Sequence, residues 1–167
     1  MLYLLDANIL ITAANTYYGI LRVPEFWTWL LHQGESGVIK IPLEMYEEVA
    51  EGRKEGDELL GWIKHDTNRV ALALDEQCKI DLVQRVVKEG YANDLTDDEV
   101  EKIGRDPFLI SYALGEAERC IVTTEISKPS RKRHNRHIPD VCTTLGVNCC
   151  GPWDLNRKLG FKTAWKV

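Results

Sequence analysis

The fold is decided at the start of the chain by residues 2–10, LYLLDANIL, where four apolar residues lead directly to an acid. The apolar run predicts a buried strand, and the residues after Asp6 predict a helix. Asp6 would then lie at the carboxyl edge of a sheet, where open α/β folds bind ligands. A buried acid needs a partner, and no adjacent Lys or Arg supplies one to Asp6.

Strand and helix signals alternate along the rest of the chain. Short apolar or β-branched runs predict strands, and segments with helical spacing separate them. The predicted strands are residues 2–6, 38–41, 69–72, 120–124 and 146–149. Such alternation implies right-handed crossovers and a parallel sheet flanked by helices. We therefore expect an α/β fold with three layers, α/β/α, and a central, mostly parallel sheet of four to five strands.

Several local signals predict helix boundaries. Residues 96–99, TDDE, match a capping box, in which a hydroxyl and a glutamate satisfy the first amides of a helix. Asp106-Pro107 is the clearest helix start, with an acidic N-cap and proline at the first helical position. Further predicted helices begin at Pro24 or cover residues 43–51, 58–64 and 76–88.

Length and composition limit the class of protein. The 167 residues fit one domain, residues 1–167. Without an apolar run of about 18 residues or a signal peptide, we expect a soluble, cytoplasmic protein. The five cysteines form an odd set without a Cys-x-x-Cys pair, which favours reduced and mostly buried thiols.

The charge distribution is polarised. A net charge of -5 argues against a protein that coats nucleic acid without specificity. Residues 128–137, KPSRKRHNRH, nevertheless predict an exposed basic loop, which fits either phosphate contacts or plain solvated surface. The candidate nucleic-acid contacts in this loop are Lys128, Arg131, Lys132, Arg133 and Arg136.

Four acids follow apolar runs or lie at predicted helices, and they could converge on one divalent cation. They are Asp6, Glu48, Asp106 and Glu125, with Asp140 as an outlier at a further helix start. Clustered carboxylates are costly unless a cation neutralises them, and Mg²⁺ or Mn²⁺ takes carboxylate and water oxygens.

Each of these acids also has a simpler interpretation. Asp106 fits an N-cap, and Asp140 fits the first turn of a helix, where its charge meets the helix dipole. Glu125 fits an ordinary loop residue. Glu44 and Glu47 are alternatives to Glu48 as the second acid, and two of these three glutamates must lie on a solvated helix face.

Four segments carry these acids in a fixed order: residues 4–8, LLDAN; 47–49, EEV; 105–110, RDPFLI; and 122–125, VTTE. In order and approximate spacing they resemble the PIN domain nucleases, over residues 2 to about 150. In that family an apolar strand ends in Asp-Thr/Ser-Asn or Ser, and a Thr-x-Asp segment follows a later strand. Two positions differ, since Ala7 replaces the usual hydroxyl residue and Glu125 stands where Asp is commoner.

The resemblance implies a PIN-like fold and a metal-dependent nuclease that hydrolyses phosphodiester bonds, most often of RNA. It implies Mg²⁺ or Mn²⁺ held by the four acids, with Asn8, Thr123 and Asp140 in supporting positions. Many PIN nucleases of this size are toxins of toxin–antitoxin pairs. The resemblance therefore also implies an antitoxin partner and a homodimer.

Two alternatives to the nuclease stay open. One is a catalytically silent PIN-like module that binds RNA or a protein. The other is a phosphatase like the haloacid dehalogenases, which also begin with an apolar strand and Asp and use Mg²⁺. That chemistry needs an acid two residues after the nucleophile, and Asn8 in this place cannot protonate a leaving group.

Overall fold

The centre of the protein is a sheet of four parallel strands. The computed structural model describes residues 1–166, so Val167 of the predicted domain lies outside the described part. The strands are β1 (Leu2–Leu5), β2 (Ile39–Lys40), β3 (Arg119–Val122) and β4 (Asn148–Cys150). Their order in the sheet is β2-β1-β3-β4, and every neighbouring pair is parallel. The predicted α/β class is confirmed.

Helices cover the sheet and give the three-layer α/β/α arrangement. In chain order, the ten α-helices of residues 1–166 are α1 (Ala7–Asn15), α2 (Pro24–Glu35), α3 (Leu43–Ala50), α4 (Glu58–Lys64), α5 (Asp66–Leu72), α6 (Ile80–Arg85), α7 (Asp97–Ile103), α8 (Asp106–Ala113), α9 (Ile138–Leu145) and α10 (Pro152–Lys158). A π-helical segment, Val86–Tyr91, continues α6. No helix within residues 1–166 is long and apolar enough to cross a membrane.

The two central strands are buried on both faces, as parallel strands between helical layers must be. Leu4 and Leu5 of β1 and Ile121 and Val122 of β3 are fully buried. Leu5 pairs with Val122 in the register of the sheet. The carboxyl ends of β1 and β3 therefore lie side by side, and the residues that follow the two strands start from the same edge of the sheet.

One predicted strand is wrong. Residues 69–72 belong to helix α5, and only the next residue, Ala73, forms a single parallel bridge with Ile41. The physical reason is helical spacing, since the buried residues of this segment are Asn68, Ala71 and Leu72. A short apolar run is equally compatible with a buried strand, and for this reason the sequence of residues 69–72 predicted a strand.

The helix signals are confirmed at most boundaries. Thr96 and Glu99 form both hydrogen bonds of the capping box. The helix predicted from residue 76 begins later, at Ile80, because Glu76 instead forms two hydrogen bonds with the guanidinium of Arg119, at 2.7 and 2.9 Å. All five cysteines are free thiols, two buried and three half-buried.

Candidate metal centre

Asp6 lies at the carboxyl end of β1 and is 2% exposed. Its Oδ2 accepts a hydrogen bond from the Thr123 hydroxyl at 2.7 Å, and its Oδ1 accepts one from the backbone amide of Asn8 at 3.4 Å. Burial raises the pKa of Asp6, the Thr123 hydrogen bond opposes this shift, and the charge of Glu125 adds to it. Asp6 is thus a buried acid with neutral hydrogen-bond donors and an acidic neighbour.

Asp106 is the first residue of α8, and its prediction as an N-cap is wrong. Arg105 holds the N-cap position and already has α-helical dihedral angles, so Asp106 lies inside the first turn and makes no capping hydrogen bond. Its Oδ2 instead accepts a hydrogen bond from the Tyr91 hydroxyl at 3.5 Å. The capping interpretation therefore does not explain this acid.

The negative charges that act on Asp106 are those of the three other predicted acids. The pKa of Asp106 is raised well above its ordinary value, first by burial and then by the negative charges of Asp6, Glu125 and Glu48. Tyr91 supplies one hydrogen bond that lowers it. Asp6 and Asp106 are 100 positions apart in the chain, but they lie close enough for their charges to interact. Together with Glu48 and Glu125 they form one group of neighbouring acids, named the acidic cleft here.

Of the three glutamates of α3, the structure directs Glu48 toward the cleft. Burial and the charge of Asp6 raise the pKa of Glu48, while Arg105 lowers it. Glu47 is 58% exposed and lies 3.7 Å from Arg105. Glu44 accepts a hydrogen bond from the Tyr112 hydroxyl at 3.3 Å and is turned toward a different part of the molecule.

Glu125 follows β3 and reaches the N-terminus of α9. Its Oε2 accepts a hydrogen bond from the backbone amide of Ile138 at 2.7 Å. This contact fixes one end of the carboxylate, and the charge of Glu125 still acts on both Asp6 and Asp106. The charge of Glu125 therefore reaches the acidic cleft, although PIN domain nucleases more often have the shorter aspartate at this position.

Arg105 joins the two helices that carry Glu48 and Asp106. Its guanidinium lies 2.7 Å from a carboxylate oxygen of Glu51 and 3.7 Å from one of Glu47, both on the α3 side. Arg105 is directly followed by Asp106, so these ion pairs fix the start of α8 against α3. A cation at the rim of the cleft also limits the repulsion between its acids.

Asp140 and two of the basic residues make hydrogen bonds or ion pairs with other residues of the protein. Asp140 accepts hydrogen bonds from the Ser127 hydroxyl at 2.6 Å and from the Lys128 amide at 2.8 Å, which fixes the loop after Glu125. Arg133 pairs with Asp94 and Glu99, each at 2.7 Å, and Arg136 donates to the carbonyl of Gly90. The remaining predicted phosphate contacts, which are Lys128, Arg131 and Lys132, are exposed.

Sequence reasoning missed Tyr91 and Arg105. Tyr91 ends the π-helical segment. This segment packs so closely against α9 that a Cβ added at Gly90 would lie only 2.6 Å from Cγ1 of Val141. A π-helical turn often marks a functional site, but helical periodicity alone does not reveal it. For Arg105, the only signal was its place beside Asp106.

The donor set fits a hard divalent cation, because the four predicted ligands are all carboxylates. Within residues 1–166, however, no three His, Cys, Asp or Glu side chains are already arranged around a common point suitable for a metal ion. Like charges keep carboxylates apart until a cation lies between them. Mg²⁺ sites commonly use one or two direct carboxylates and complete the shell with water, so the two observations are compatible.

The fold and the site define a class: an α/β protein with a parallel sheet and a group of neighbouring acids at its carboxyl edge. Residues 3–163 match the family described as Domain of unknown function (DUF4411). This match covers most of the chain, and the protein belongs to that family. Comparisons with curated proteins and with solved structures gave no match.

Proposed function

We propose that the protein is a metal-dependent nuclease that hydrolyses phosphodiester bonds, with RNA as its substrate. The observation that carries the proposal is that Asp6, Glu48, Asp106 and Glu125, which come from four distant parts of the chain, lie near one another at the carboxyl edge of the sheet. Burial first, and then the charges of the neighbouring acids, raise the pKa of Asp6, Glu48 and Asp106. Such a concentration of acids destabilises the folded protein, and strongly shifted pKa values cluster at functional sites. A phosphodiester is itself an anion, so a cation is needed to bring substrate and cleft together.

Asp6 and Asp106 are the residues that would hold Mg²⁺ or Mn²⁺, with Glu48 and Glu125 acting directly or through water. When bound, the cation would lower the pKa of a coordinated water molecule and offset the charge that develops on the leaving oxygen. Thr123 holds the Asp6 carboxylate in one orientation through its 2.7 Å hydrogen bond. The half-buried Glu48 carboxylate would accept a hydrogen bond from the attacking water.

The basic loop supports a nucleic acid as substrate. Lys128, Arg131 and Lys132 are exposed and follow Glu125 by three to seven positions. Cations at the rim of an acidic cleft favour the approach of a phosphate chain that the cleft alone would repel. Asp140 contributes by fixing Lys128 through the backbone amide.

A catalytically silent module that binds RNA or a protein is the second candidate. One observation favours it, namely that no three metal-ligating side chains among residues 1–166 are already arranged around a cation. A silent module would bind neither Mg²⁺ nor Mn²⁺ in the cleft. The antitoxin partner and the homodimer stay predictions.

The test is cleavage by the full chain of single-stranded and structured RNA and DNA, with Mg²⁺, Mn²⁺ or EDTA. We expect RNA cleavage with either metal, none with EDTA, and none by Asp6→Asn. Because the nucleophile is water, the products should carry no 2′,3′-cyclic phosphate. Cleavage by Asp6→Asn at the wild-type rate would contradict the proposal, and absence of both cleavage and metal binding would favour the silent module.

A further inference from the structure

A cavity of about 360 Å³ lies directly beside the acidic cleft. Its walls come from the end of β1, from helices α1 and α2, from the segment after β3 and from the start of α10. Thr123 lines the cavity and donates its hydroxyl to Asp6 at 2.7 Å, and Glu125, which also lines the cavity, acts electrostatically on Asp6 and Asp106. The cavity and the acidic cleft therefore share a wall.

The cavity is mostly apolar, with two aromatic side chains that are largely exposed. Tyr17 and Trp153 line it, and they are 70% and 55% exposed. Their ring centroids are 5.9 Å apart and their planes are inclined by 63°, an edge-to-face arrangement that leaves more than half of each side chain exposed. Exposed aromatic residues around a concave site indicate that a ligand covers them.

The polar groups of the wall suit a neutral, hydrogen-bonding ligand. Thr12, Thr16, Thr124 and Asn156 provide hydroxyl and amide groups, and Glu125 is the one charged residue of the described lining. The described lining contains no Lys or Arg, so a phosphate would have no cationic partner inside the cavity. A flat, uncharged ring with donors and acceptors on its edges fits both the aromatic and the polar features.

We propose that this cavity binds one unpaired nucleobase of the nucleic acid chain whose phosphodiester lies in the acidic cleft. This inference rests on the proposed function, because the shared wall at Glu125 is meaningful only if a phosphodiester lies on its other side. The base stacks on Trp153 or Tyr17, and its edge meets the threonine hydroxyls. A base paired within a duplex cannot enter, so the cavity selects single-stranded segments.

The test uses the full chain with Asp106→Asn as a non-cleaving background and measures binding by fluorescence anisotropy, at a Mg²⁺ concentration high enough to saturate this weaker-binding variant. The probes are a labelled single-stranded RNA of mixed sequence, the same RNA with abasic sites, and the matching DNAs. We expect intact RNA to bind about tenfold more tightly than abasic RNA, the scale of one base stacked on an aromatic residue. The DNA pair separates recognition of the base from recognition of the sugar.

Two variants act on the cavity in different ways. Trp153→Ala removes a stacking surface, and Thr12→Trp fills the cavity from an exposed position of α1. Both should reduce the difference between intact and abasic RNA to less than twofold. Val70→Ala, at a side chain that is 82% exposed and lies outside the cavity lining, is the matched control and should leave that difference unchanged. Thermal melts establish that each variant is folded.

The outcomes separate this inference from the proposed function. Equal binding of intact and abasic strands by the background protein overturns the cavity assignment, even when the wild type cleaves RNA. A base-dependent difference that Trp153→Ala removes supports the cavity, even when the wild type cleaves nothing. Self-association of the free protein that Trp153→Ala abolishes in sedimentation would assign the cavity to a second copy of the chain and overturn the proposal.

Discussion

The hydroxyl of Thr123 donates a hydrogen bond of 2.7 Å to Oδ2 of Asp6, although the two residues are 117 positions apart in the chain. The same Oγ accepts a hydrogen bond from the backbone amide of Glu125 at 3.1 Å. One side chain thus links an acid that follows β1 to the segment that follows β3. The relationship exists because β1 and β3 are adjacent and parallel.

Replacing Thr123 should affect both stability and activity. Thr123→Val leaves a carboxylate oxygen of the buried Asp6 without its donor, so we expect a loss of about 1–3 kcal/mol in the free energy of unfolding. We expect RNA cleavage to fall about 10- to 100-fold, as for other residues that orient metal ligands. Thr123→Ser should retain most of both. Denaturant unfolding and initial cleavage rates measure the two effects.

The matched control is Thr143→Val, which removes the hydroxyl of a solvent-exposed threonine on α9. It should change stability by less than about 0.5 kcal/mol and leave cleavage unchanged. If Thr123→Val behaves like this control, Thr123 has no positioning role.

Glu48 and Glu47 are neighbours in sequence with different surroundings, so they form a natural pair of variants. Glu48→Gln should lower cleavage at least about 10-fold, since the charge of this carboxylate interacts with those of Asp6 and Asp106. Glu47→Gln should have little effect, because Glu47 is 58% exposed and lies near Arg105. Single-turnover cleavage rates measure both. Equal losses in the two variants would show that helix α3 supplies no specific ligand.

The sequence predicted the fold class because local signals and burial agreed at most elements. Apolar runs before Asp6 and Thr123 are short strands buried on both faces, and pattern alone is sufficient to find them. The error at residues 69–72 arose where the pattern is ambiguous, since a short apolar run fits a helix equally well.

The candidate site was predictable in its residue types but not in its geometry. The side chain of Glu48, rather than that of Glu44 or Glu47, acts on Asp6, and this depends on how α3 is rotated about its axis. Tyr91 meets Asp106 through a π-helical turn, which no spacing rule predicts. The apolar cavity beside Glu125 combines distant segments, so only tertiary structure reveals it.

Asp106 should make the metal-free protein less stable as the pH rises. Its pKa in the folded protein is raised well above the ordinary aspartate value, so the folded state binds the proton more tightly than the unfolded state. The resulting stabilisation is fully present below the ordinary pKa and is lost as the pH rises through the raised one. In EDTA, Asp106→Asn should therefore increase the free energy of unfolding by about 1 kcal/mol at pH 8, and this gain should vanish near pH 4.

Thermal or denaturant unfolding between pH 4 and pH 8 measures this effect. Asp75→Asn, at an exposed position, should have the same small effect at every pH. A destabilisation by Asp106→Asn at pH 8 in EDTA would mean that the carboxylate is stabilising in the folded protein, against the shift described for its pKa.

The five basic residues of the loop should separate into two groups. Replacing Lys128, Arg131 or Lys132 by Ala should weaken RNA binding and lower the slope of log affinity against log salt by about 1 each. Arg133→Ala should leave this slope unchanged and cost a small amount of stability, because Arg133 pairs with Asp94 and Glu99. A smaller salt slope for Arg133→Ala than for Lys132→Ala would contradict this division.

The central claim is that one divalent cation lies among Asp6, Glu48, Asp106 and Glu125, and titration calorimetry with Mn²⁺ tests it most directly. The wild type should bind Mn²⁺, Glu47→Gln should bind it equally well, and Asp106→Asn should bind it at least about 10-fold more weakly. Absence of Mn²⁺ binding by the wild type, or equal binding by Asp106→Asn, would contradict the claim.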